Sequence, residues 1–345
     1  MAKTTKKPAA AAAPTPSKKK LALHYAAIAG INAALGKAKA GVQANVGSAL
    51  HRSEITQVIP TGIEALDRFA LGIGGIGGGR VVEVFGPKSS GKTTLAYTTI
   101  ANAQKLGWLV VYCETENAYE KARAESLGVD TSTLIVVQPE RTEDVARVIV
   151  ETLKSVRAVD KGTPILLVWD SLAATSTKRE MEGDIGDAQM ADKARLLNQV
   201  VRVVSHALTR LNAAWLIINQ TREKIGVMFG SPETTPGGNA IRFQATHQVR
   251  VSAGKVLTKD GQPIGMEVKF KVVKNKVAPP QREVMAHLIY DKGWDETWNT
   301  INHAKEVKAV PDATQVTERG YAAARKALKW DAAAVALDHL TGDET

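Results

Sequence analysis

The run Gly-Pro-Lys-Ser-Ser-Gly-Lys-Thr at residues 86–93 constrains this chain more than any other feature. It matches the Gly-x-x-x-x-Gly-Lys-[Ser/Thr] pattern of a phosphate-binding loop. The β-branched, apolar segment 80–85 before it predicts a buried strand, and segment 93–100 after it can open a helix. A glycine-rich turn formed by chance would lack this strand–loop–helix context. The sequence therefore predicts an α/β domain that binds a nucleotide at this loop.

The residue types in the loop explain how it would hold phosphates. Gly86 and Gly91 let the backbone fold around an anion, so that N–H groups and a helix N-terminus point at the phosphates. Lys92 can reach the β- and γ-phosphates, and the Thr93 hydroxyl can ligate Mg²⁺. The predicted nucleotide-binding residues of the loop are Gly86, Pro87, Lys88, Ser89, Ser90, Gly91, Lys92, Thr93 and Thr94.

Apolar segments that predict strands alternate with helical segments through the centre of the chain. The predicted strands are 80–85, 108–113, 134–137, 164–169 and 215–219. This alternation is typical of an α/β fold with a largely parallel, buried sheet. Segment 266–274 alternates strictly between apolar and polar residues, which predicts a half-exposed strand with basic residues on one face.

Composition narrows the class of partner and the compartment. The 345 residues carry a formal net charge of +10. A basic chain favours a polyanionic partner, but charge alone does not distinguish nucleic acid from an acidic membrane. The single cysteine, Cys113, excludes an internal disulfide and agrees with a reducing compartment. The sequence shows neither a membrane-spanning apolar run nor a secretory signal, so a cytoplasmic location is expected.

Acidic residues follow two of the predicted strands. Asp170 comes after segment 164–169, and a carboxylate at this place in nucleotide-binding folds supports the Mg²⁺ shell. Glu114 and Glu116 follow segment 108–113, and strand alternation would put them on the same side. Either carboxylate could orient the water that attacks a γ-phosphate. A solvated strand end explains the pair equally well, and spacing does not choose between the two interpretations.

The segment 221–239 has no periodicity and is punctuated by glycine and proline, which predicts a long loop. Loops of this length in compact domains are usually functional or disordered. Its apolar residues at 225 and 227–229 would be costly to expose without a partner that covers them. Gly237 and Gly238 come just before the next predicted helix and offer a second place where an anion could bind.

Taken together, these runs resemble the bacterial RecA family of homologous-recombination ATPases over about residues 21–290. The matching runs are 65–67, 74–75, 79–80, 86–94, 170–171, 182–187, 218–220, 224–230, 232–235 and 272–276. The runs 224–230 and 232–235 are specific to that family among phosphate-loop ATPases, so they carry more weight than the loop at 86–93. The resemblance implies a RecA-type P-loop NTPase core with a mostly parallel central sheet.

The same resemblance implies roles for individual residues. Lys92 and Thr93 would bind ATP and Mg²⁺, with Asp170 behind the metal. Glu116, rather than Glu114, would polarise the attacking water, and Gln220 would sense the γ-phosphate. Lys274 and Lys276 would reach ATP held by a neighbouring subunit and neutralise charge there, like an arginine finger.

The DNA contacts implied by the resemblance come from two loops along a filament axis and from their flanks. Ile225 would wedge between base triplets, and phosphate contacts would bind without reading sequence. The implied DNA-binding residues are Met190, Arg195, Asn198, Arg202, Arg222, Lys224, Ile225, Gly226, Val227, Met228, Phe229, Gly237, Gly238, Asn239, Lys269 and Lys271.

The chain departs from the family pattern at two places. Arg123 stands where the family usually has a tyrosine that stacks on adenine, so either Tyr119 or the Arg123 guanidinium is expected to take that role. An arginine pair of the family's secondary DNA site is replaced by Ser252 and Ala253, although Lys269 and Lys271 remain. The sequence thus leaves the adenine contact open and predicts weaker capture of duplex DNA.

We therefore expect four regions in the chain. They are a disordered basic tail (1–20), an N-terminal helix and linker for subunit docking (21–53), the ATPase and DNA-binding core (54–292) and a small C-terminal domain (293–345). The expected function is DNA-dependent ATP hydrolysis coupled to strand exchange in helical filaments on single-stranded DNA. A hexameric helicase and a non-hydrolysing accessory protein are the alternatives.

Overall fold

The computed structural model of the protein describes residues 18–37, 55, 57–183, 190–223, 233–234, 236–237 and 239–330. The chain divides into two compact units, Met1–Glu54 and Ile55–Thr345. In the first, the described part is helix α1 (Lys18–Lys37), which covers the predicted N-terminal helix. Residues 1–17 of the predicted tail and most of the predicted linker lie outside the described residues, whereas residues 18–20 of that tail form the first turn of α1.

The second unit contains the predicted alternation of strands and helices. Its strands are β1 (Val58–Ile59), β2 (Ile76–Gly77), β3 (Val81–Gly86), β4 (Leu109–Glu114), β5 (Ile135–Val137), β6 (Ile165–Asp170), β7 (Ala213–Gln220), β8 (Arg222–Glu223), β9 (Glu233–Thr234), β10 (His247–Lys259), β11 (Gln262–Asn275), β12 (Arg282–Ile289) and β13 (Gly293–Trp294). Its α-helices are α2 (Lys92–Lys105), α3 (Lys121–Ser126), α4 (Thr142–Val159), α5 (Lys178–Glu182), α6 (Met190–Arg210), α7 (Asn239–Gln244), α8 (Glu296–Glu306) and α9 (Glu318–Ala327). A π-helix spans Ala65–Leu71, and a 3₁₀ turn spans Leu172–Ala174.

Among the described residues, nine strands form one sheet in the order β13-β12-β11-β10-β3-β7-β6-β4-β5. The pairs from β10 to β5 are parallel, and β10 to β13 pair antiparallel. The five predicted parallel strands are confirmed to within about two residues. The predicted alternating strand lies inside β11, whose apolar residues are buried on one face only. The α/β fold with a mostly parallel sheet is therefore confirmed.

Two apolar layers cover the two faces of the sheet. Helix α2 packs on one face through residues such as Leu95 and Ile100. Helices α4 and α6 pack on the other face, where Ile149 and Val201 contribute to the core. Strands β6 and β7 are almost completely buried because helices cover both of their faces, as is usual for parallel strands.

The parallel register brings the carboxyl ends of the central strands to one edge. Gly86 at the end of β3 is paired with Gln220 at the end of β7. Glu114 at the end of β4 is paired with Asp170 at the end of β6. In open parallel sheets, ligands bind at this edge. We call it the nucleotide edge and define it by Gly86, Glu114, Asp170 and Gln220.

The C-terminal part continues the sheet before it becomes helical. Strand β13 pairs with β12, and the Trp294 ring lies 5.4 Å from that of Phe270 between ring centroids. Helices α8 and α9 then share a small apolar cluster that includes Ile301 and Ala324. The start of a separate domain at residue 293 stays a prediction. No described helix of either unit combines the length and the apolar character needed to cross a membrane.

Candidate nucleotide site

The glycine-rich loop lies between β3 and α2, as its sequence context predicts. Gly91 precedes α2 with a φ of 92°, a left-handed conformation that favours glycine. A Cβ atom at Gly86 would come within 2.0 Å of the Val251 carbonyl oxygen, so no larger residue fits there. These two positions explain why the loop needs glycine at both ends.

The Lys92 ammonium is held over this loop. Its Nζ donates to the Pro87 carbonyl oxygen at 2.5 Å and lies 3.4 Å from Ser90 Oγ. Burial lowers the pKa of Lys92, whereas the negative charges of Asp170 and Glu116 raise it. A cation held over backbone N–H groups is the arrangement that binds the phosphates of a nucleotide.

Thr93 and Asp170 meet at the nucleotide edge, where they form a set of oxygen ligands suited to a hard cation. Thr93 Oγ1 donates to Asp170 Oδ2 at 2.8 Å, and the Tyr112 hydroxyl lies 3.3 Å from the same oxygen. Hydroxyl and carboxylate oxygens are the ligands that Mg²⁺ prefers, and Mg²⁺ usually takes few protein ligands together with substrate phosphates. The described residues contain no group of three or more His, Cys, Asp or Glu side chains that could hold a metal ion.

Burial raises the pKa of Asp170 to about 6, and the charge of Glu116 adds to this, while the Thr93 and Tyr112 hydrogen bonds oppose it. A raised carboxyl pKa means that ionised Asp170 destabilises the fold above about pH 6, and that this cost fades as pH falls towards the unfolded value. We therefore expect Asp170→Asn to raise the melting temperature of the metal-free protein by a few degrees near pH 7.5. This increase in melting temperature should become smaller below pH 6.

Thermal unfolding from about pH 5 to 8 in a chelator checks this expectation. Asp312→Asn is the matched control because Asp312 is exposed, and this variant should melt like the unchanged protein at every pH. An Asp170→Asn variant that melts lower than the unchanged protein near pH 7.5 would contradict the expectation.

The two carboxylates that spacing left undecided have different surroundings. Glu114 is buried, and its carboxylate accepts the backbone N–H groups of Glu116 and Ala118 and the Gln138 amide. It therefore shapes the turn after β4. Glu116 is exposed, and its Oε1 accepts from Ser171 Oγ and Gln220 Nε2, each at 2.5 Å. The structure thus brings Glu116 and Gln220 together at the nucleotide edge.

A buried polar network that the sequence did not reveal lies directly behind Gln220. Asn219 Nδ2 donates to Glu83 Oε1 at 2.9 Å and to the Pro236 carbonyl at 3.0 Å. Gln248 Nε2 donates to Glu83 Oε2 at 2.6 Å. Burial raises the pKa of Glu83, and both amides oppose this rise. The network ties the end of β7 to Pro236 at the far end of the long segment that follows it.

A cavity of about 240 Å³ opens beside the glycine-rich loop. Residues 89–94 form one wall, and Arg123, Met266, Leu288 and Tyr290 complete the lining. The Arg123 guanidinium donates to the Tyr290 carbonyl oxygen. Met266 comes from β11, Leu288 from β12 and Tyr290 from the turn after β12. No local sequence pattern predicts that these three residues line a cavity. They form the mixed apolar and polar wall that a nucleoside needs.

Tyr119, the other candidate for the adenine contact, packs elsewhere. Its ring lies 6.3 Å from that of Tyr112 between centroids, and it is not among the described residues that line the cavity. Of the two candidates left open by the sequence, the structure brings Arg123 to the cavity.

Lys274 and Lys276 lie together near the end of α7. Lys274 Nζ donates to the carbonyl oxygens of Arg242 and Phe243, and Lys276 Nζ donates to those of Phe243 and Gln244. Cations at a helix C-terminus interact favourably with its carbonyl groups. Neither lysine lines the cavity described above. Lys276 is exposed and Lys274 is half-buried, and both ammonium groups lie beside α7 rather than at the cavity of their own protomer.

Three of the predicted DNA-binding residues share an exposed face of α6. They are Arg195, Asn198 and Arg202, which the helical period brings together. Arg195 Nη1 lies 3.9 Å from Asp192 Oδ1, and Asn198 Nδ2 donates to the Ala194 carbonyl. The opposite face of α6, which includes Leu197 and Val201, packs into the core.

The other predicted DNA-binding positions are described in part or not at all. Met190 begins α6, Arg222 lies in β8 and Asn239 begins α7, and only their backbone is described. Gly237 is half-buried with a φ of 93°. Lys269 and Lys271 lie on β11 and contact Glu283 on β12. Outside the described residues lie Lys224, Ile225, Gly226, Val227, Met228, Phe229 and Gly238.

Comparison with known proteins finds one matching family and several similar chains. The family described as RecA N-terminal domain matches residues 22–295. Protein RecA of Thermus aquaticus is 46% identical over 248 residues, which cover 72% of this chain and 71% of that protein. Protein RecA of Chloroherpeton thalassium is 45% identical over 258 residues, 74% of this chain and 70% of its own. Protein RecA of Lactobacillus acidophilus is 42% identical over 255 residues, 74% and 68% of the two chains.

Proposed function

Because the chain belongs to the RecA family, we propose that its nucleotide edge binds ATP with Mg²⁺ and that this site drives DNA strand exchange. The protein is a DNA-dependent ATPase and a recombinase that forms helical filaments on single-stranded DNA during homologous recombination and repair. The observation that carries the proposal for the site is the meeting of Glu116 with Gln220 beside the Thr93–Asp170 pair.

In the proposed site, each side chain has one task in binding. Lys92 and the backbone N–H groups of the loop bind the β- and γ-phosphates. Thr93 and Asp170 hold Mg²⁺, which neutralises charge on the phosphates when bound. Arg123 and Tyr290 border the cavity that takes the nucleoside. The cation–π capacity of a guanidinium allows Arg123 to stack on adenine in place of an aromatic ring.

Hydrolysis in this proposal depends on Glu116 and Gln220. The Glu116 carboxylate orients the attacking water and accepts its proton, a role that typically contributes about 10²–10⁴-fold to the rate. Gln220 donates to Glu116 and can donate instead to the γ-phosphate, because its amide lies at the same edge. An exchange of partners at Gln220 would be transmitted through Asn219 to Pro236 and the segment before it.

The proposed active site is completed by a second protomer. Lys274 and Lys276 lie beside α7 and do not line the cavity of their own protomer, so we assign them to the ATP of an adjacent protomer. There they would neutralise the charge that develops during phosphoryl transfer. A head-to-tail contact whose rotation does not close repeats into a filament, which is the assembly we propose. Helix α1 is the proposed docking element for the neighbouring subunit.

DNA is proposed to bind along α6 and the segments next to it. Arg195, Asn198 and Arg202 form a polar face whose phosphate contacts would be independent of base sequence. Residues 224–229 and Gly238, which lie outside the described residues, are proposed as further DNA contacts. A homologous duplex is the proposed second partner, with Lys269 and Lys271 as its contacts. The proposed location is the cytoplasm.

Two measurements on one preparation test this function. ATP hydrolysis should be stimulated by the addition of single-stranded DNA. Electron microscopy with a non-hydrolysable ATP analogue should show extended helical filaments on that DNA. Closed rings would favour the helicase alternative, and DNA binding without turnover would favour an accessory protein. Either result would contradict the proposal.

A further inference from the structure

A charged cluster outside the nucleotide edge joins two strands in the antiparallel part of the sheet. Lys271 on β11 lies directly opposite Glu283 on β12, and Lys269 lies on the diagonal to Glu283. Lys271 Nζ is 2.8 Å from Glu283 Oε1, and the Lys269 ammonium contacts Oε2. One carboxylate therefore holds two ammonium groups, one on each oxygen. We call these three residues the β11–β12 cluster.

The cluster lies on the open face of these strands. The exposed fractions of the side chains are 46% for Lys269 and 35% for both Lys271 and Glu283. The opposite face of the same strands, with Val268, Phe270 and Val284, is buried in the core. Exposed ion pairs contribute little to stability, so they can be exchanged for other ion pairs at small cost. The cluster is therefore accessible to a large anion.

We infer that Glu283 competes with DNA phosphates for Lys269 and Lys271, holding both lysines in the free protein and releasing them when duplex DNA reaches this face. This inference rests on the proposed function, in which the two lysines contact a homologous duplex. Carboxylate and phosphate oxygens are alternative partners for an ammonium group, and both form charge-assisted hydrogen bonds. The two lysines also lower the pKa of Glu283, so its charge persists at neutral pH.

The competition has consequences for both affinity and salt dependence. A lysine that neutralises a DNA phosphate releases counterions, and binding then weakens as salt rises. While Glu283 remains beside the lysines, its negative charge repels the phosphates, so part of the affinity that counterion release provides is lost. The face should therefore bind duplex DNA weakly and release it quickly. Such a surface suits a recombinase that must test many unrelated duplexes.

The test uses filaments assembled with a non-hydrolysable ATP analogue on saturating, unlabelled single-stranded DNA. A short labelled duplex of unrelated sequence is then titrated at several NaCl concentrations and followed by fluorescence anisotropy. With Glu283→Gln, we expect about 3- to 10-fold tighter duplex binding at low salt. The slope of log affinity against log salt should steepen by up to about 0.9 for each lysine released.

A charge-matched control separates the local effect from the change in net charge. Glu151→Gln removes a carboxylate that pairs with Lys154 at 2.9 Å on α4, and this variant should bind duplex as the unchanged protein does. Replacing Lys269 and Lys271 with alanine in the Glu283→Gln background should cancel the gain in duplex affinity. The rate of hydrolysis stimulated by single-stranded DNA should stay unchanged in Glu283→Gln, because Glu283 does not line the nucleotide cavity.

Equal duplex affinity and equal salt slope in Glu283→Gln and the unchanged protein would overturn the inference. In that case, weaker duplex binding by a Lys269→Ala, Lys271→Ala variant with Glu283 intact would mean that the inference alone fails and that the proposed DNA contacts stand. If the unchanged protein built no filaments on single-stranded DNA, the proposed function would fail first and the inference with it. A second variant, Glu283→Thr, removes the same charge with a residue suited to a strand.

Discussion

Glu116→Gln is expected to lower DNA-stimulated ATP hydrolysis by about 10²–10⁴-fold, because an amide cannot accept the proton of the attacking water. Nucleotide binding and filament formation should persist. The variant keeps an oxygen that can accept the hydrogen bonds now donated by Ser171 and Gln220. Phosphate release gives the rate, and the titration of a fluorescent ATP analogue gives the affinity.

Glu120→Gln is the matched control for this result. Glu120 is exposed and lies four residues from Glu116, so the control loses the same charge in the same region of the chain. Its rate should stay within about twofold of the unchanged protein, as for most exposed substitutions. A Glu116→Gln variant with a rate close to that of the Glu120→Gln control would remove Glu116 from the proposed role.

The double variant Lys274→Ala and Lys276→Ala is expected to lose about 10²-fold or more of the DNA-stimulated rate. In the proposed filament the two ammonium groups stabilise charge on the ATP of a neighbour, so their loss should spare nucleotide binding by the single protomer. Single-turnover hydrolysis in preassembled filaments, together with analogue binding, separates these two effects.

If the two lysines had a purely structural role, the double variant would lose stability instead of its rate of hydrolysis. Their ammonium groups hydrogen-bond the last carbonyls of α7, and the loss of such helix-end contacts costs about 0.3–1 kcal/mol each. If this were their whole role, the melting temperature would fall and the rate per folded protomer would be kept. The control Lys154→Ala with Lys178→Ala removes two other helix-surface lysines that form ion pairs. Normal DNA-stimulated turnover in the Lys274 and Lys276 double variant would contradict the proposal.

The parts that sequence predicted best depend on local patterns. The glycine-rich loop and the central strands are encoded in short, contiguous runs, and their burial follows from apolar composition. The alternating strand around Lys269 and Lys271 was equally readable, because its period of two marks one buried face. These features also predicted the edge of the sheet at which the site would lie.

The parts that sequence could not predict depend on residues brought together from distant segments. Met266, Leu288 and Tyr290 reach the cavity only because β11 and β12 extend the sheet beside the loop. Glu83 sits within an apolar strand, and nothing nearby in sequence shows that Asn219 and Gln248 satisfy its carboxylate. Glu114 and Glu116 could not be separated by alternation, because β4 ends at Glu114 and the chain turns immediately afterwards.

Each ATP site is proposed to be shared between two protomers, and a mixture of two inactive variants probes this sharing. Filaments are formed from equal amounts of Glu116→Gln protein and the Lys274→Ala, Lys276→Ala double variant. Junctions that combine an intact Glu116 with intact lysines should then form at about a quarter of the interfaces in a random head-to-tail filament. DNA-stimulated hydrolysis should therefore recover towards about a quarter of the unchanged rate. A mixture that stays as inactive as its two components, while still forming filaments, would contradict it.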